Sequence, residues 1–286
     1  MNDPLSEHRS ALWALCYRLT GSAADADDLV QETFQRALER PPKDQTLPWR
    51  PWLVRVATHL SIDHLRHRQR TPYVGPWLPS PVDLDTLDAE ARLGAAESLS
   101  YSFLIALEAL DPVQRAVFIL RDVLGWTGPE VAECLELSPG NVRVILHRAR
   151  QAIPPSAPPK DASRYEAALG QFAAALATGD LANVEALLTE QARTVQDSAG
   201  EFKAALRVVT GRNNVARFFL GVSRFYPDGA RSIEPRILNG TPALIVEMNT
   251  DNPIRSRKYV LRLELDDQDR ITDVQMILAT PKLTHI

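Results

Sequence analysis

The 286-residue sequence has few of the features that mark secreted, disulfide-bonded or membrane-spanning proteins. It contains two cysteines, Cys16 and Cys134, which lie far apart in apolar helical patterns, so we expect two buried thiols in a reducing compartment. No apolar run approaches the ~20 residues that a transmembrane helix needs. The N-terminus lacks the basic and apolar segments of a secretory signal. These absences favour a cytoplasmic protein with no membrane association.

A large excess of one charge is also missing, because 32 basic and 36 acidic residues give a net charge of −4. That balance argues against nucleic-acid binding only if the charge is evenly spread. Residues 55–70 contain four Arg and three His against one acid, and residues 141–150 contain three Arg, one His and no acid. Residues 83–97 contain five acids and one Arg. Two short basic stretches, separated by an acidic one, indicate local contacts with nucleic acid.

Proline divides the chain, because it fixes φ and removes a backbone donor. Four prolines lie within residues 72–81, and a second cluster lies within 154–159. We therefore predict three folded pieces joined by two connectors, in the chain order 1–71, 72–96, 97–153, 154–161 and 162–286.

The first two pieces show helical periodicity throughout. The third piece changes character, because helical segments give way after residue 222 to short β-rich segments separated by turns. We predict its helices over 162–177, 181–188 and 213–222, and its strands over 232–238, 242–249, 256–265 and 270–279. Helices followed by an antiparallel meander indicate an α+β domain.

The sharpest local pattern predicts a helix-turn-helix over residues 125–150. Thr127 with Glu130 forms a capping-box pattern, and Ser138-Pro139 marks a second helix start. The side chains left outward on the second helix suit contacts with bases and phosphates: Gly140, Asn141, Arg143, Val144, His147 and Arg148. A plain helical hairpin with a solvated basic face fits the same spacing.

A second candidate is the end of the helix predicted over 48–70, which carries His59, His64, Arg66, His67, Arg68 and Arg70. Trp49 and Trp52 lie earlier on this helix, and basic residues near aromatic ones suit single-stranded DNA. A solvated helix end, whose cations favour the dipole, is the alternative. The three histidines lack cysteine or a carboxylate pair beside them, so we predict no metal site and no cofactor.

A third candidate is the acidic stretch at residues 25–34, DADDLVQETF. An acidic amphipathic helix can dock on a basic partner. Acids near a helix start are also favoured by the dipole alone.

These motifs together resemble the extracytoplasmic-function (ECF) sigma factors of bacterial RNA polymerase. Residues 25–34 with 52–58 (WLVRVAT) resemble sigma region 2, and residues 110–118 (LDPVQRAVF) with the helix-turn-helix resemble region 4. The connector GPWLPSP resembles the signature of the sigma-J-like group, through Trp77, Leu78, Pro79 and Pro81. Ser80 stands where that signature has Glu. Two C-terminal motifs of the group are faintly present, as Asp197 to Gly200 with Lys203 and as Thr280 to Leu283.

The resemblance implies two all-α sigma domains and a C-terminal α+β cone of the SnoaL-like, NTF2-like fold. It implies a non-enzymatic protein that binds core RNA polymerase and promoter DNA. The β′ clamp helices would meet Asp25, Asp27, Asp28, Gln31, Glu32 and Phe34. The −10 element would meet Arg55, His59, Asp63, Arg66, His67 and Arg70. The outward residues of the helix-turn-helix would read the −35 element, and region 4 would also touch the β flap.

The resemblance further implies that the C-terminal domain regulates the sigma regions in cis, through contact with them, and the acidic connector would run toward the RNA exit path. Whether that domain also binds a small-molecule ligand is left open by the resemblance. A cyclase or isomerase domain would need a cavity Asp or His. Residues 161–286 contain one histidine, His285, which leaves Asp197 and Asp228 as candidate carboxylates. A one-component helix-turn-helix repressor would explain residues 138–150 but not the region 2 pattern.

Overall fold

Residues 5–86, 98–153 and 161–286 are described by the computed structural model, and they form two units that interleave along the chain. The first unit takes the described residues of 1–72 and 84–157, and the second takes those of 73–83 and 158–286. The proline-rich connector therefore belongs, as far as Asp83, to the C-terminal unit. Most of the acidic stretch and the second proline cluster lie outside the described residues.

Three helices form the N-terminal half of the first unit: α1 (Arg9–Thr20), α2 (Ala23–Glu39) and α3 (Trp49–Arg70). Gly21 ends α1 with a φ of 70°, a left-handed conformation that glycine adopts readily. Ser22 then caps α2 by accepting a hydrogen bond from the backbone N–H of Asp25. The three helices pack together through buried apolar side chains, among them Leu12, Leu15, Leu29, Val30, Leu53 and Leu60.

In the other half of this unit, the described residues form α4 (Tyr101–Leu107), α5 (Pro112–Phe118), α6 (Gly128–Leu135) and α7 (Pro139–Ala152). Asp111 with Gln114 and Thr127 with Glu130 form complete capping boxes at the starts of α5 and α6. A π-helical turn, Ile119–Val123, extends α5. Helices α6 and α7 form the helix-turn-helix that the sequence predicts. Its inner face is buried through Val131, Leu135, Val142, Leu146 and Ala149.

The second unit contains α8 (Ala162–Thr178), α9 (Leu181–Ala186), α10 (Arg212–Phe225) and a six-stranded sheet of order β2-β1-β6-β5-β4-β3. The strands are β1 (Leu188–Asp197), β2 (Val209–Thr210), β3 (Ala230–Leu238), β4 (Thr241–Met248), β5 (Lys258–Leu265) and β6 (Ile271–Ile277). Strands β3 to β6 form the predicted antiparallel meander. Strand β1 was not predicted, and it runs parallel to β6, so the sheet is mixed.

The core of the second unit lies between the sheet and α8 with α10. Phe172 of α8 meets Phe219 of α10 edge to face, with ring centroids 5.2 Å apart. Leu263 of β5 and Val274 of β6 are fully buried in the same cluster. Each such side chain contributes about 1.5–3 kcal/mol through removal from water. The predicted α+β class of the C-terminal part is confirmed.

Candidate nucleic-acid interface

Helix α7 presents one apolar and one polar face. Ser138 accepts a hydrogen bond from the backbone N–H of Asn141 at 3.2 Å, and Pro139 occupies the first helical position. Val142, Leu146 and Ala149 are buried against the rest of the first unit. All six residues that the sequence assigns to DNA are exposed. Among the described residues, no carboxylate lies within ion-pair distance of the Arg143 or Arg148 side chains.

Arg150, at the end of the same helix, has a different environment. Its guanidinium donates two hydrogen bonds to the Asp122 carboxylate, at 2.8 and 2.7 Å. These bonds and the charge of Asp122 raise the pKa of Arg150. Because Asp122 lies in the π-helical turn, the pair holds the end of α7 against that turn. We therefore assign Arg150 a positioning role.

The residues predicted on α3 divide into two sets. Asp63, Arg66, His67 and Arg70 are exposed, and Arg66 lies 3.3 Å from Asp63 on the same helix. Arg55 and His59 are half-buried and contact the turn of the helix-turn-helix. Trp49 and Trp52 meet edge to face, with ring centroids 6.3 Å apart. The structure thus brings Trp52, Arg55 and His59 to one groove.

Two further side chains on α3, His64 and Arg68, contact other helices of the first unit. His64 lies 3.1 Å from the Asp25 carboxylate. Burial raises the pKa of Asp25, but the hydrogen bond and charge of His64, with smaller contributions from Ser22 and Arg68, bring it below its usual value. Arg68 donates to the Thr20 carbonyl at 2.8 Å and pairs with Glu108 at 2.9 Å. Both side chains therefore have structural partners, although their sequence pattern also suits phosphate contacts.

A buried arginine joins the same cluster. Arg115 is 3% exposed, donates to the Leu19 carbonyl at 2.8 Å, and pairs with Glu108 at 2.8 Å. Burial lowers the pKa of Arg115, and the Glu108 carboxylate partly offsets that effect. The cluster links α1 and α3 to α4 and α5. Sequence reasoning did not identify it, because its members lie up to 96 positions apart.

Helix α2 presents an acidic outer face. Asp27, Asp28, Gln31 and Glu32 are exposed, whereas Asp25 and Phe34 are half-buried. Leu38 continues this face and is 76% exposed, although the sequence analysis did not select it. The spacing could have identified it, because Leu38 follows Gln31 by seven positions, or two helical turns, and therefore lies on the same side of the helix.

The connector signature lies inside the second unit. Leu78, Pro79 and Pro81 are buried and Trp77 is half-buried. Ser80, at the position where the signature has Glu, is also buried. The backbone N–H of Val82 donates to the Asn239 side chain at 2.9 Å, and its carbonyl accepts from the Asn239 N–H at 2.8 Å. The segment is therefore packed as part of this unit.

A buried ion pair fixes this segment. Asp197 and Lys282, which are 0% and 6% exposed, approach to 2.5 Å. Asp197 also accepts hydrogen bonds from the Tyr73 hydroxyl at 2.5 Å and from the Leu78 backbone N–H at 2.7 Å. Lys282 donates to the Leu78 carbonyl and lies 4.2 Å from the centre of the Trp77 ring. We call these five residues the connector clamp.

Lys203, the lysine of the first C-terminal motif, lies elsewhere. Its ammonium lies 5.3 Å from the centre of the Phe225 ring, which also receives the Arg255 guanidinium at 4.7 Å. The two C-terminal motifs therefore contribute Asp197 and Lys282 to the connector clamp, while Lys203 contacts Phe225, the last residue of α10.

The described residues contain no group of three His, Cys, Asp or Glu side chains arranged to hold a metal ion. Across residues 5–86, 98–153 and 161–286, no helix is both long and apolar enough to cross a membrane. Both cysteines are buried, as expected. Burial raises the pKa of Cys16 to about 12 and that of Cys134 to about 11, so both thiols stay protonated at neutral pH.

Comparison with known proteins agrees with this arrangement. The family model for sigma-70 region 2 matches residues 5–71, and that for sigma-70 region 4 matches residues 102–153. The ECF RNA polymerase sigma factor SigJ of Mycobacterium tuberculosis is 38% identical over 231 residues, covering 77% of this chain and 72% of SigJ. SigG of the same species is 31% identical over 306 residues, covering 96% of this chain and 80% of SigG.

The crystal structure of Mycobacterium tuberculosis SigJ is similar to this fold over most of its length. Its TM-score is 0.75 at 29% sequence identity, and the match covers 98% of this chain and 99% of that one. Two sigma regions in the expected order, and a relative matched across its helical and α+β parts, agree with the motifs found in the sequence. The chain belongs to the ECF RNA polymerase sigma factors, the proteins that direct transcription initiation at promoters.

Proposed function

We propose that this sigma factor engages the −10 element with α3 and reads the −35 element with α7. One observation carries the second assignment: the polar face of α7 is exposed while its apolar face is buried. Arg143 and Arg148 suit guanine edges or phosphates, and Asn141 suits adenine. A recognition helix placed in the major groove uses its N-terminal residues in this way.

Core RNA polymerase meets the outer face of α2 in this proposal, through its β′ clamp helices, and region 4 contacts the β flap. The exposed acids Asp28 and Glu32 complement a basic partner surface. Leu38 adds an exposed apolar anchor to the same face. Apolar anchors within a polar rim typically carry much of the affinity of a protein interface.

Replacing Asp28 with Arg is expected to weaken core polymerase binding roughly tenfold, because the substitution turns an attractive charge into a repulsive one. Fluorescence anisotropy with the labelled full chain and purified core enzyme measures this affinity. Glu166→Arg, which makes the same charge change on an exposed position of α8, is the matched control. Equal affinities of the two variants would contradict the assignment of the α2 face.

Run-off transcription with core polymerase tests the whole proposal. We expect a promoter-dependent transcript from the full chain on the promoter nearest its own gene. The chain without core enzyme should bind the same DNA weakly in ~0.15 M salt, because its two basic patches are small and it carries a net charge of −4. Failure of the full chain to bind core enzyme would favour the repressor alternative, in which a dimer binds paired half-sites.

The second unit regulates the sigma regions in cis, and the connector clamp supports this part of the proposal. Residues 73–83 follow region 2 directly, and the clamp fixes them through a buried ion pair. The effect of a small molecule that binds to this unit would be transmitted to the sigma regions through the same segment. The protein acts in the cytoplasm, where bacterial polymerase transcribes.

Truncation after Pro159 tests the regulatory role, because it removes Asp197 and Lys282 and so frees the connector. We expect the transcript yield in the run-off assay to change severalfold relative to the full chain. A higher yield means that the second unit inhibits, and a lower yield means that it assists. An unchanged yield would remove the regulatory role.

An isomerase-like role for the second unit has less support. Asp197 is fully buried and already bonded to Tyr73, Leu78 and Lys282. Asp228 is exposed after α10. A catalytic base must reach the proton it abstracts, whereas the Asp197 carboxylate is buried and already engaged by these three partners.

A further inference from the structure

Helix α10 of the second unit has an exposed face that carries positive charge. Residues 161–286 as a whole balance 15 basic residues against 16 acidic ones, but residues 203–231 contain six basic residues and one acid. Arg217 and Arg224 are exposed on α10 and lie seven positions apart, so they share one side of the helix at a spacing of ~10 Å. The charge of this unit is therefore strongly segregated.

The two arginines of this face have no acidic partner. Among the residues that the structure describes, no carboxylate lies within ion-pair distance of Arg217 or Arg224. A neutral group orients the Arg217 side chain, because its Nε donates to the Asn213 side chain at 2.8 Å. By contrast, Arg193 and Arg270 of the same unit are exposed and pair with aspartates. The α10 face thus presents charge that the described carboxylates do not neutralise.

A glycine lies between the two arginines. Gly221 follows Arg217 by four positions and precedes Arg224 by three, which places all three on one side of α10. Glycine inside a helix costs about 0.8–1.0 kcal/mol relative to alanine, and a Cβ at Gly221 would meet no atom of the described chain within 4 Å. Packing at this position therefore leaves room for a side chain. Its absence opens the helix backbone to close approach by a partner.

Two more cations meet at the C-terminal end of α10. The Lys203 ammonium lies 5.3 Å and the Arg255 guanidinium 4.7 Å from the centre of the Phe225 ring. The Arg255 guanidinium also lies 5.9 Å from the centre of the Tyr226 ring. The Lys203 backbone N–H donates to the Ile254 carbonyl at 2.9 Å, which joins the segments that carry the two cations. Like charges within ~10 Å of each other repel, so an anion beside them would be stabilised.

The α10 face is continuous with these two cations, because Phe225 follows Gly221 by one helical turn. We define the four cations and the glycine as the cationic face: Lys203, Arg217, Gly221, Arg224 and Arg255. We propose that the cationic face binds single-stranded RNA. A flexible strand can follow cations spread along a helix. Its unpaired bases can stack on a guanidinium plane, and two aromatic rings support that plane in Arg255.

The bases of a duplex are already stacked on one another, so a duplex would use the phosphate contacts of the cationic face but not the stacking plane. The promoter DNA is assigned above to α3 and α7. The remaining nucleic acid of transcription is the RNA product. The choice of this RNA as the ligand rests on the proposed function, whereas the charge and the stacking plane are properties of the second unit itself.

Replacing Gly221 with Glu tests the cationic face without weakening the fold. Glutamate is a better helix former than glycine, and at this position it pairs with Arg217 and Arg224 along the helix. We expect Tm to stay the same or rise. The affinity of the full chain for a fluorescein-labelled, mixed-sequence RNA of ~20 nucleotides should fall roughly tenfold, measured by anisotropy at ~50 mM salt, where screening is limited.

Arg217→Gln combined with Arg224→Gln should lower this affinity to a similar extent. It should also flatten the dependence on salt, because each lost phosphate contact removes about 0.7 from the logarithmic slope. The matched control is Arg193→Gln with Arg270→Gln, which removes two charges from exposed arginines that pair with aspartates. Its affinity should stay within about twofold of the unsubstituted chain. Equal losses in the two double variants, or unchanged affinity in Gly221→Glu, would overturn the proposal.

Arg255→Lys separates RNA from duplex DNA as the ligand, because it keeps the charge and removes the guanidinium plane. We expect it to weaken RNA binding roughly fivefold and to leave the affinity for a duplex DNA of the same sequence within about twofold. Equal effects on both probes would overturn the assignment to RNA. The run-off assay keeps the two ideas apart, since a chain that transcribes from its promoter but shows no Gly221→Glu effect on RNA affinity retains its function and loses only this inference.

Discussion

Replacing Asp197 with Asn is expected to lower the free energy of unfolding by about 3–5 kcal/mol, because it leaves the buried Lys282 ammonium without its counter-charge. The connector loses its anchor at the same time, because the Leu78 N–H and the Tyr73 hydroxyl both donate to this carboxylate. Thermal unfolding followed by circular dichroism should show a fall in Tm of roughly 10 °C.

Two further variants make the measurement specific. Asp228→Asn changes an exposed aspartate of the same unit and should leave Tm within about 1 °C. Asp197→Asn combined with Lys282→Met should cost less than the sum of the single changes, because the double variant leaves no unpaired buried charge. A loss below about 1 kcal/mol for Asp197→Asn alone would mean that the clamp does not hold the connector.

Replacing Arg143 and Arg148 together with Ala is expected to reduce transcription from a −35-dependent promoter roughly a hundredfold. Each lost contact to a base edge costs about 1–3 kcal/mol, and the two positions lie on the exposed face of α7. Run-off transcription with core polymerase measures the yield, and core binding should stay unchanged because the α2 face is untouched.

The control for this variant is Gln151→Ala, which truncates an exposed side chain one turn after His147 on the same helix. A promoter with a scrambled −35 element provides the second control. If the arginines act through that element, scrambling it should cost the double-alanine variant little further activity. An additional hundredfold loss on the scrambled promoter would show that the arginines act elsewhere.

The helix starts and the exposed face of α7 could be predicted from local signals in the sequence. The capping boxes at Asp111 and Thr127, and the Ser138-Pro139 start, are short patterns whose hydrogen bonds close within three residues. The outward set on α7 followed from its 3.6-residue period, because Val142, Leu146 and Ala149 identify the buried side. These features depend on neighbours in the sequence.

Strand β1 and the connector clamp could not be predicted from the sequence, because both depend on contacts between residues far apart in the chain. β1 has buried Leu188 and Ala192 but exposed Glu190 and Gln191, so its alternation is interrupted and it lacked a strand signature. The clamp joins Tyr73 to Asp197 across 124 positions, and no periodicity connects them. The faint motif at Asp197 and the connector signature were both visible, but the ion pair that joins them was not.

The residues of the connector clamp lie far apart in the chain, so the clamp can form only late in synthesis on the ribosome. Leu78 precedes its partner Lys282 by 204 residues, and ribosomes add about 5–20 residues per second. The connector is therefore made roughly 10–40 s before the lysine that secures it. Region 4 ends at residue 153. Every newly made molecule therefore passes through a stage in which both sigma regions have been synthesised but the ion pair that holds the connector has not yet formed.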